Sequence, residues 1–182
     1  MKIGIDISQI VYEGTGISRY VRELVRSLIT RDSKNEYVLF GSSLRKRESF
    51  YSFYKSLGKN PRIRLVVIPL PPTVLDFLWN VLHILPIEFF IGNVDVFWSS
   101  DWTQPPFLSA KGITTIHDVS FLRFPESFSE TIVSVQKRRL RHAIQECQTI
   151  LCDSIATRDD VRKFLPVLTD RLQVVYPGVT TI

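Results

Sequence analysis

One pattern limits what this chain can fold into: short apolar runs of strand length alternate with segments of helical periodicity from one end to the other. Ile3-Gly4-Ile5-Asp6-Ile7 reads as a first strand. A loop from Ser8 to Gly16 leads from it into an amphipathic helix with apolar positions Ile17, Tyr20, Val21, Leu24, Val25 and Leu28. Asp32-Ser33-Lys34-Asn35 breaks that helix before a second strand at Tyr37 to Phe40. The basic, aromatic segment Leu44 to Leu57 predicts the next helix, and Ile63 to Ile68 a third strand that Pro69, Pro71 and Pro72 stop. A core helix is expected at Val74 to Ile84, with strands at Val94 to Trp98, Ile113 to Ile116, Thr149 to Cys152 and Leu172 to Tyr176. Between these lie a helix with apolar positions Ile132, Val135, Leu140, Ala143, Ile144 and Cys147, and a shorter one at Ala156 to Phe164. Several of the runs are apolar throughout, as parallel strands covered on both faces are. The expected fold over residues 1–176 is therefore a doubly wound, Rossmann-like α/β domain with a mainly parallel sheet and helices on both faces. In such sheets ligands bind beyond the carboxyl ends of the strands, so the loops there are where chemistry should be sought.

Composition narrows the function classes. With 182 residues, 45% hydrophobic, the chain is long enough to hold a core without disulfides or a structural metal. Cys147 and Cys152 are too few for a disulfide framework, lack CxxC spacing and have no clustered histidines, so both read as buried apolar residues. Asp76, Asn80, His83, Pro86 and Glu88 interrupt the apolar stretch from Thr73 to Trp98 too often for a membrane span. Met1 and Lys2 lead straight into the first strand, which predicts no signal peptide and a cytoplasmic location. The net charge of +5 suits phosphorylated ligands or an anionic membrane surface. Without a dense basic stripe or a named motif, nucleic acid is not an expected partner.

Three loops carry candidate chemistry. Gly14-Thr15-Gly16 precedes a helix N-terminus, where unpaired backbone N–H groups and the helix dipole attract an anion, and glycine lets the backbone approach a phosphate. The third glycine of a dinucleotide fingerprint is replaced by Arg19, so a turn that merely starts the helix stays open. His117-Asp118 follows an apolar strand; an imidazole there can bond a sugar hydroxyl or a phosphate, and the adjacent carboxylate can orient it. The alternative is an Asx-type turn capped by Asp118, with His117 as packing. Ser99-Ser100-Asp101-Trp102 follows the preceding strand in the same way and suits a carbohydrate face, or a capped loop. Arg45-Lys46-Arg47 and Lys137-Arg138-Arg139 with Arg141 read either as solvated helix faces or as attraction to anionic lipid, helped by aromatics at Phe50, Tyr51, Phe53 and Tyr54.

Taken together, GIDISQIVYEGTGISRYVRELVRSL, DVFWSSDWTQPP, GITTIHDVSFLRFPESFS, ILCDSIATRDDVRKF and RLQVVYPGV resemble, in that order, the N-terminal half of a retaining glycosyltransferase of the GT-B fold. The likeness is to the group containing bacterial mannosyltransferases and sugar transferases of lipopolysaccharide, O-antigen and capsule assembly, and it covers essentially the whole chain. The resemblance implies an acceptor-side domain facing a donor-binding domain across a cleft. By it, Gly14 and Gly16 match the loop that approaches the donor diphosphate. His117 matches the histidine near the transferred sugar, with Asp118 beside it. Ser154 matches the serine of a cleft-lining helix start, with Arg158 one turn on, and Ser99 and Asp101 join the acceptor side.

It further implies a nucleotide sugar as substrate, a glycan or lipid-linked acceptor, no metal and no other cofactor; a peripheral position at the inner face of the membrane is a separate expectation, from the basic clusters and the aromatic Leu44 to Leu57 segment. Residues 177–182, ending Val179-Thr180-Thr181-Ile182, match the start of the interdomain linker. The family's diphosphate-neutralising and donor-gripping residues lie beyond it, so the expectation is little transfer by these residues alone, with a donor-domain polypeptide as partner. Two other readings stand beside it: a non-catalytic glycan- or glycolipid-binding module, and an unrelated nucleotide-binding domain supported only by the glycine loop.

Overall fold

The computed structural model describes residues 1–178, and in it the alternating pattern becomes a seven-stranded sheet whose strands are all parallel. The elements are β1 (Lys2–Asp6), α1 (Gly16–Arg31), β2 (Glu36–Ser42), α2 (Arg47–Ser56), β3 (Ile63–Ile68), α3 (Pro72–Leu75) and α4 (Glu88–Ile91). They continue with β4 (Val96–Ser99), β5 (Lys111–Ile116), α5 (Ser120–Arg123), α6 (Glu130–Glu146), β6 (Cys147–Cys152), α7 (Ile155–Phe164) and β7 (Leu172–Val174). The strand order β3-β2-β1-β4-β5-β6-β7 reverses direction between β1 and β4, which opens a crevice at their carboxyl ends.

Strand β2 shows why both faces are covered. Its side chains alternate by the period of a strand: Tyr37 and Leu39 pack with Val21 and Val25 of α1 and Phe50 and Phe53 of α2. Val38 and Phe40 pack on the opposite face with Leu75, Trp79, Ile87 and Ile91. Gly41 has no alternative at its position, because a Cβ there would lie 2.8 Å from the Phe50 ring. Helix starts follow capping chemistry: Thr15, Ser129 and Ser154 each accept from a backbone N–H three residues on, a device worth about 1 kcal/mol apiece. Both cysteines are free and buried as expected, and burial raises their thiols, Cys147 to about 12 and Cys152 to about 11.

Several expectations are corrected. Phe50 and Phe53 are core residues rather than a surface aromatic face, because α2 turns them onto α1 and β2. Ile29, not Leu28, completes the buried stripe of α1. The segment expected as a core helix at Val74 to Ile84 is instead α3 followed by a π-helical turn (Asp76–Val81), in which the Leu82 N–H reaches the Phe77 carbonyl. Only Leu75, Trp79 and Asn80 of that stretch are buried, leaving Phe77, Val81 and Leu82 exposed. Strand β4 begins at Val96 and β6 at Cys147, while β7 ends at Val174. Of the residues matched to a linker, 179–182 lie outside the described residues. Among the described residues, no helix is long and apolar enough to cross a membrane.

Candidate active site

Four strands deliver polar residues to one end of the sheet. β1 ends on Asp6, β4 leads into Ser100-Asp101, β5 into His117-Asp118 and β6 into Asp153-Ser154. The centre of this group is His117, whose Nδ1 lies 2.5 Å from Asp153 Oδ2. An ionised carboxylate can only accept, so the proton of that bond sits on Nδ1, and in the neutral imidazole Nε2 then presents a lone pair. No protein partner meets Nε2 among the described residues. Tyr20 stands edge-on to the imidazole, with ring centroids 4.9 Å apart, and Trp98 lies behind Tyr20 with its indole N–H donating to Thr115 Oγ1 at 3.0 Å. The hydroxyl of Thr157, in the first turn of α7, donates to the His117 carbonyl at 3.1 Å, so the histidine is held from both side chain and backbone.

Below the histidine the site is buried and charged. Asp6 Oδ1 accepts from the Ser8 N–H at 2.8 Å, while Oδ2 is buried without a partner. Burial pushes the Asp6 carboxyl up to about 6, against the lowering effect of Ser8 and Ser100, and the nearby Asp101 carboxylate adds to the rise. Burial also raises Asp101, offset by Arg139 and His117, and its Oδ1 is a second unpartnered buried oxygen. Arg139 is 2% exposed; its guanidinium donates to the Ser100 carbonyl at 2.9 Å, to the Thr115 carbonyl and to Thr114 Oγ1. The expectation that the Lys137-Arg138-Arg139 run forms a solvated face is corrected at Arg139, which lies one turn from both Val135 and Ala143 on the buried side of α6. Its cation ties β4 and β5 together beneath the site.

The glycine loop meets this centre through α1. Gly14 adopts φ +85°, a left-handed conformation suited to glycine, and Thr15 caps the helix that Gly16 begins. The first-turn amides of Gly16 and Ile17 have no intrahelical acceptor; Gly14 and Gly16 border an open groove lined also by Arg19 and Arg22 and by the carboxylates Glu13 and Glu23. Tyr20, one turn after Gly16, is the ring that touches His117. A small crevice of about 20 Å³, room for about one water, lies where the carboxyl ends of β1, β2 and β4 meet α3 and is lined by Ser8, Tyr12, Ser42, Ser100 and Trp102.

Sequence-predicted residues therefore divide. Asp101 lies near His117, and the Gly14-Gly16 loop is linked to them through Tyr20 of α1. Asp118 does not orient His117 as expected; its Oδ1 accepts from the Ser120 N–H at 2.8 Å in an Asx turn, because the imidazole faces α7 rather than its own sequence neighbour. Ser99 is buried, donating to Gln104 Oε1 at 2.7 Å, and does not line the crevice. Ser154 caps α7 through the Thr157 N–H, and Arg158 pairs sideways with Asp159 at 2.9 Å, away from His117. Sequence reasoning missed Asp6, Asp153, Tyr20 and Arg139. The first two carried a usable signal, since each is a carboxylate at or just past the carboxyl end of an apolar strand. Among the described residues, no group of three or more His, Cys, Asp or Glu is placed to hold a metal ion.

Comparison with known proteins gives one informative match. The family model described as Glycosyltransferase Family 4 fits residues 14–181, a span from the glycine loop through every strand after β1. No curated protein matches the chain. The extent of that fit, on a seven-stranded parallel sheet with its polar groups at the carboxyl ends, establishes that the chain belongs to glycosyltransferase family 4.

Proposed function

We propose that this chain is the acceptor-side half of a nucleotide-sugar-dependent glycosyltransferase that builds a cell-surface polysaccharide or lipopolysaccharide on the cytoplasmic side of a membrane, with His117 at its reaction centre. The observation carrying the reading is the His117–Asp153 pair, which leaves Nε2 without a protein partner at the carboxyl end of the sheet. From there the imidazole accepts a hydrogen bond from a hydroxyl of the transferred sugar and holds that sugar between the two grooves. The Gly14-Gly16 loop and the α1 N-terminus take the donor diphosphate side through their free backbone amides, with Arg19 in the same groove and Glu13 and Glu23 drawn toward Arg22 and Arg26. The glycan or lipid-linked acceptor lies over the small crevice rather than in it, with Tyr12 and Trp102 at its rim offering aromatic faces to sugar C–H surfaces.

Transfer with retention requires the leaving diphosphate to be stabilised as its charge develops, and loss of such electrostatic help commonly costs about 3–4 kcal/mol of barrier. Residues 1–182 then transfer little sugar unaided, and a donor-binding domain restores the reaction. The test is sugar transfer by residues 1–182 alone and joined to the donor domain of a family 4 transferase. Transfer only in the joined form supports the reading. Acceptor affinity with no transfer in either form would assign the chain to glycan binding instead.

A further inference from the structure

We infer that the stacked rings of His83 and His142 form an acid-sensitive latch on the loop of residues 100–104 beside His117. Backbone strain marks the place. Among the described residues, the non-glycine positions in the left-handed region are His83 at φ +53° and Leu85 at φ +60°, both just after the π-helical turn. Residues with a Cβ keep such a conformation only where surrounding contacts enforce it. Here the Trp79 indole N–H donates to the Leu85 carbonyl at 3.0 Å, and His83 lies between the Trp79 carbonyl at 2.8 Å and Glu146 at 2.5 Å.

The chemistry of the stack makes it sensitive to acid. With Glu146 ionised, His83 donates at both ring nitrogens and carries a positive charge. His142 donates from Nε2 to the Asn80 carbonyl at 3.2 Å, and no protein group among the described residues bonds its Nδ1. The two rings lie 3.7 Å apart and within 4° of parallel. A proton on His142 Nδ1 therefore sets a second positive ring face to face with the first, and Arg141 adds to the repulsion. The other charges of this contact, Arg138 and Asp76, already pair with each other at 3.3 Å.

Asn80 carries the signal to the site. Its backbone carbonyl is the one His142 holds, while its side chain donates to the Trp102 carbonyl at 3.0 Å and accepts from the Gln104 N–H at 3.0 Å. The first half of the same loop hangs on α6, through Arg139 to the Ser100 carbonyl at 2.9 Å and Gln136 to the Asp101 carbonyl at 3.0 Å. Three successive carbonyls are thus tied down, and the third alone is held from the π-helical turn. Opening of the stack withdraws Asn80 from Trp102 and Gln104 while Asp101 stays on α6, which loosens one rim of the site and leaves the sheet intact.

The proposal goes beyond the transferase reading and does not depend on it, because the loop itself is the readout. The 182-residue chain has three tryptophans: Trp79 in the π-helical turn, Trp102 in the loop and Trp98 behind Tyr20. Labelled as fluorotryptophan, each gives one fluorine resonance, assigned by Trp98→Phe and Trp102→Phe. The measurement is made in Asp6→Asn, because the Asp6 carboxyl, at about 6, titrates in the same window. On acidification from about pH 7.5 to about pH 5, the Trp79 and Trp102 lines should move together with one midpoint below about 6.5, and His142→Gln should abolish both movements. Gln keeps a donor for the Asn80 carbonyl and takes up no charge. Should His142→Gln not fold, the His142 ring resonance in the parent decides, since it must share that midpoint. The latch is overturned by a Trp102 line that stays still while Trp79 moves, by stillness of both, by movement that survives His142→Gln, or by a His142 midpoint different from theirs. Collapse of all three lines to one position would be global unfolding and would overturn it equally.

Discussion

Two histidine–carboxylate pairs lie in this molecule with nearly the same local geometry and different consequences. His117–Asp153 and His83–Glu146 are both 2.5 Å apart, with side chains exposed by 20% and 20% in the first and 20% and 28% in the second. The difference lies in the second ring nitrogen. His83 Nδ1 meets the Trp79 carbonyl at 2.8 Å, so both of its nitrogens face acceptors and hold the π-helical turn to α6. His117 commits Nδ1 alone, and no protein group among the described residues bonds its Nε2. Distance and burial do not distinguish the two pairs; the state of the remaining nitrogen and the position at a strand's carboxyl end do.

The sharpest way to break this contrast is to remove each ring in turn in the chain joined to a family 4 donor domain. His117→Ala should lower transfer per folded molecule on the order of 100-fold, in line with loss of a positioned polar group at a reaction centre, and cost about 1–3 kcal/mol of stability because Asp153 loses its partner. His83→Ala should leave transfer per folded molecule unchanged and lower stability by about 1–3 kcal/mol, because the Glu146 carboxylate and Trp79 carbonyl lose their partner. Equal activity losses in the two variants would erase the distinction.

A second test concerns the buried floor of the site, which has no counterpart under His83. Burial holds the Asp6 carboxyl at about 6 in the folded protein, against an ordinary value near 3.8 in the unfolded chain. The native state therefore binds this proton more tightly. Its contribution to stability is fully present below about pH 4 and is lost as pH rises to about 6, by up to about 3 kcal/mol. Asp6→Asn should be more stable than the wild type at pH 8 by a large part of that amount, and the gap should close at pH 4. Urea unfolding at the two pH values reads it, and an unchanged gap would remove Asp6 from the account.

The contrast also separates what was legible in the sequence from what was not. Strand-length apolar runs and helical spacing were enough for the parallel doubly wound sheet and for the position of His117 just past the carboxyl end of β5. The partners were hidden because they come from across the sheet: Asp153 is 36 residues from His117 and Glu146 is 63 from His83. Arg139 was masked by two exposed basic neighbours, although its spacing from Val135 and Ala143 places it on the buried side of α6. Phe50 and Phe53 misled in the opposite direction, since aromatic and basic residues interleaved in sequence part company once α2 turns its apolar side inward. The π-helical turn had no sequence signal. It follows from Asn80, which is drawn inward to donate to Asp76 and the Trp102 carbonyl and to accept from the Gln104 N–H.

Within the site, Asp153 and Asp118 test whether sequence adjacency or spatial pairing orients the imidazole. Asp153→Asn should lower transfer about tenfold by weakening a charge-assisted bond. It should also move the imidazole nitrogen resonances toward a mixture of tautomers, a readout that loss of packing alone does not produce. Asp118→Ala should leave both transfer and tautomer unchanged, costing only the Asx turn at Ser120. The reverse result would restore Asp118 as the orienting carboxylate.

The smallest expected effect lies in the clamp. His142 stacks on His83 with ring centroids 3.7 Å apart and planes within 4°. Burial first, then the neighbouring His83 and Arg141, lowers the pKa of His142 from 6.5, against the raising effect of the Asn80 carbonyl. The unfolded chain then takes up this proton more readily than the native one. The contribution is fully present above about pH 6.5 and is lost as pH falls below it, the opposite sign to Asp6. Between about pH 4 and 6.5 the two slopes oppose each other, so the clamp is best read in an Asp6→Asn background. There, stability should decline on acidification through this window, and adding His142→Gln should flatten the decline. Denaturant unfolding across the window decides it: a slope that survives His142→Gln would place the pH sensitivity outside the stacked pair.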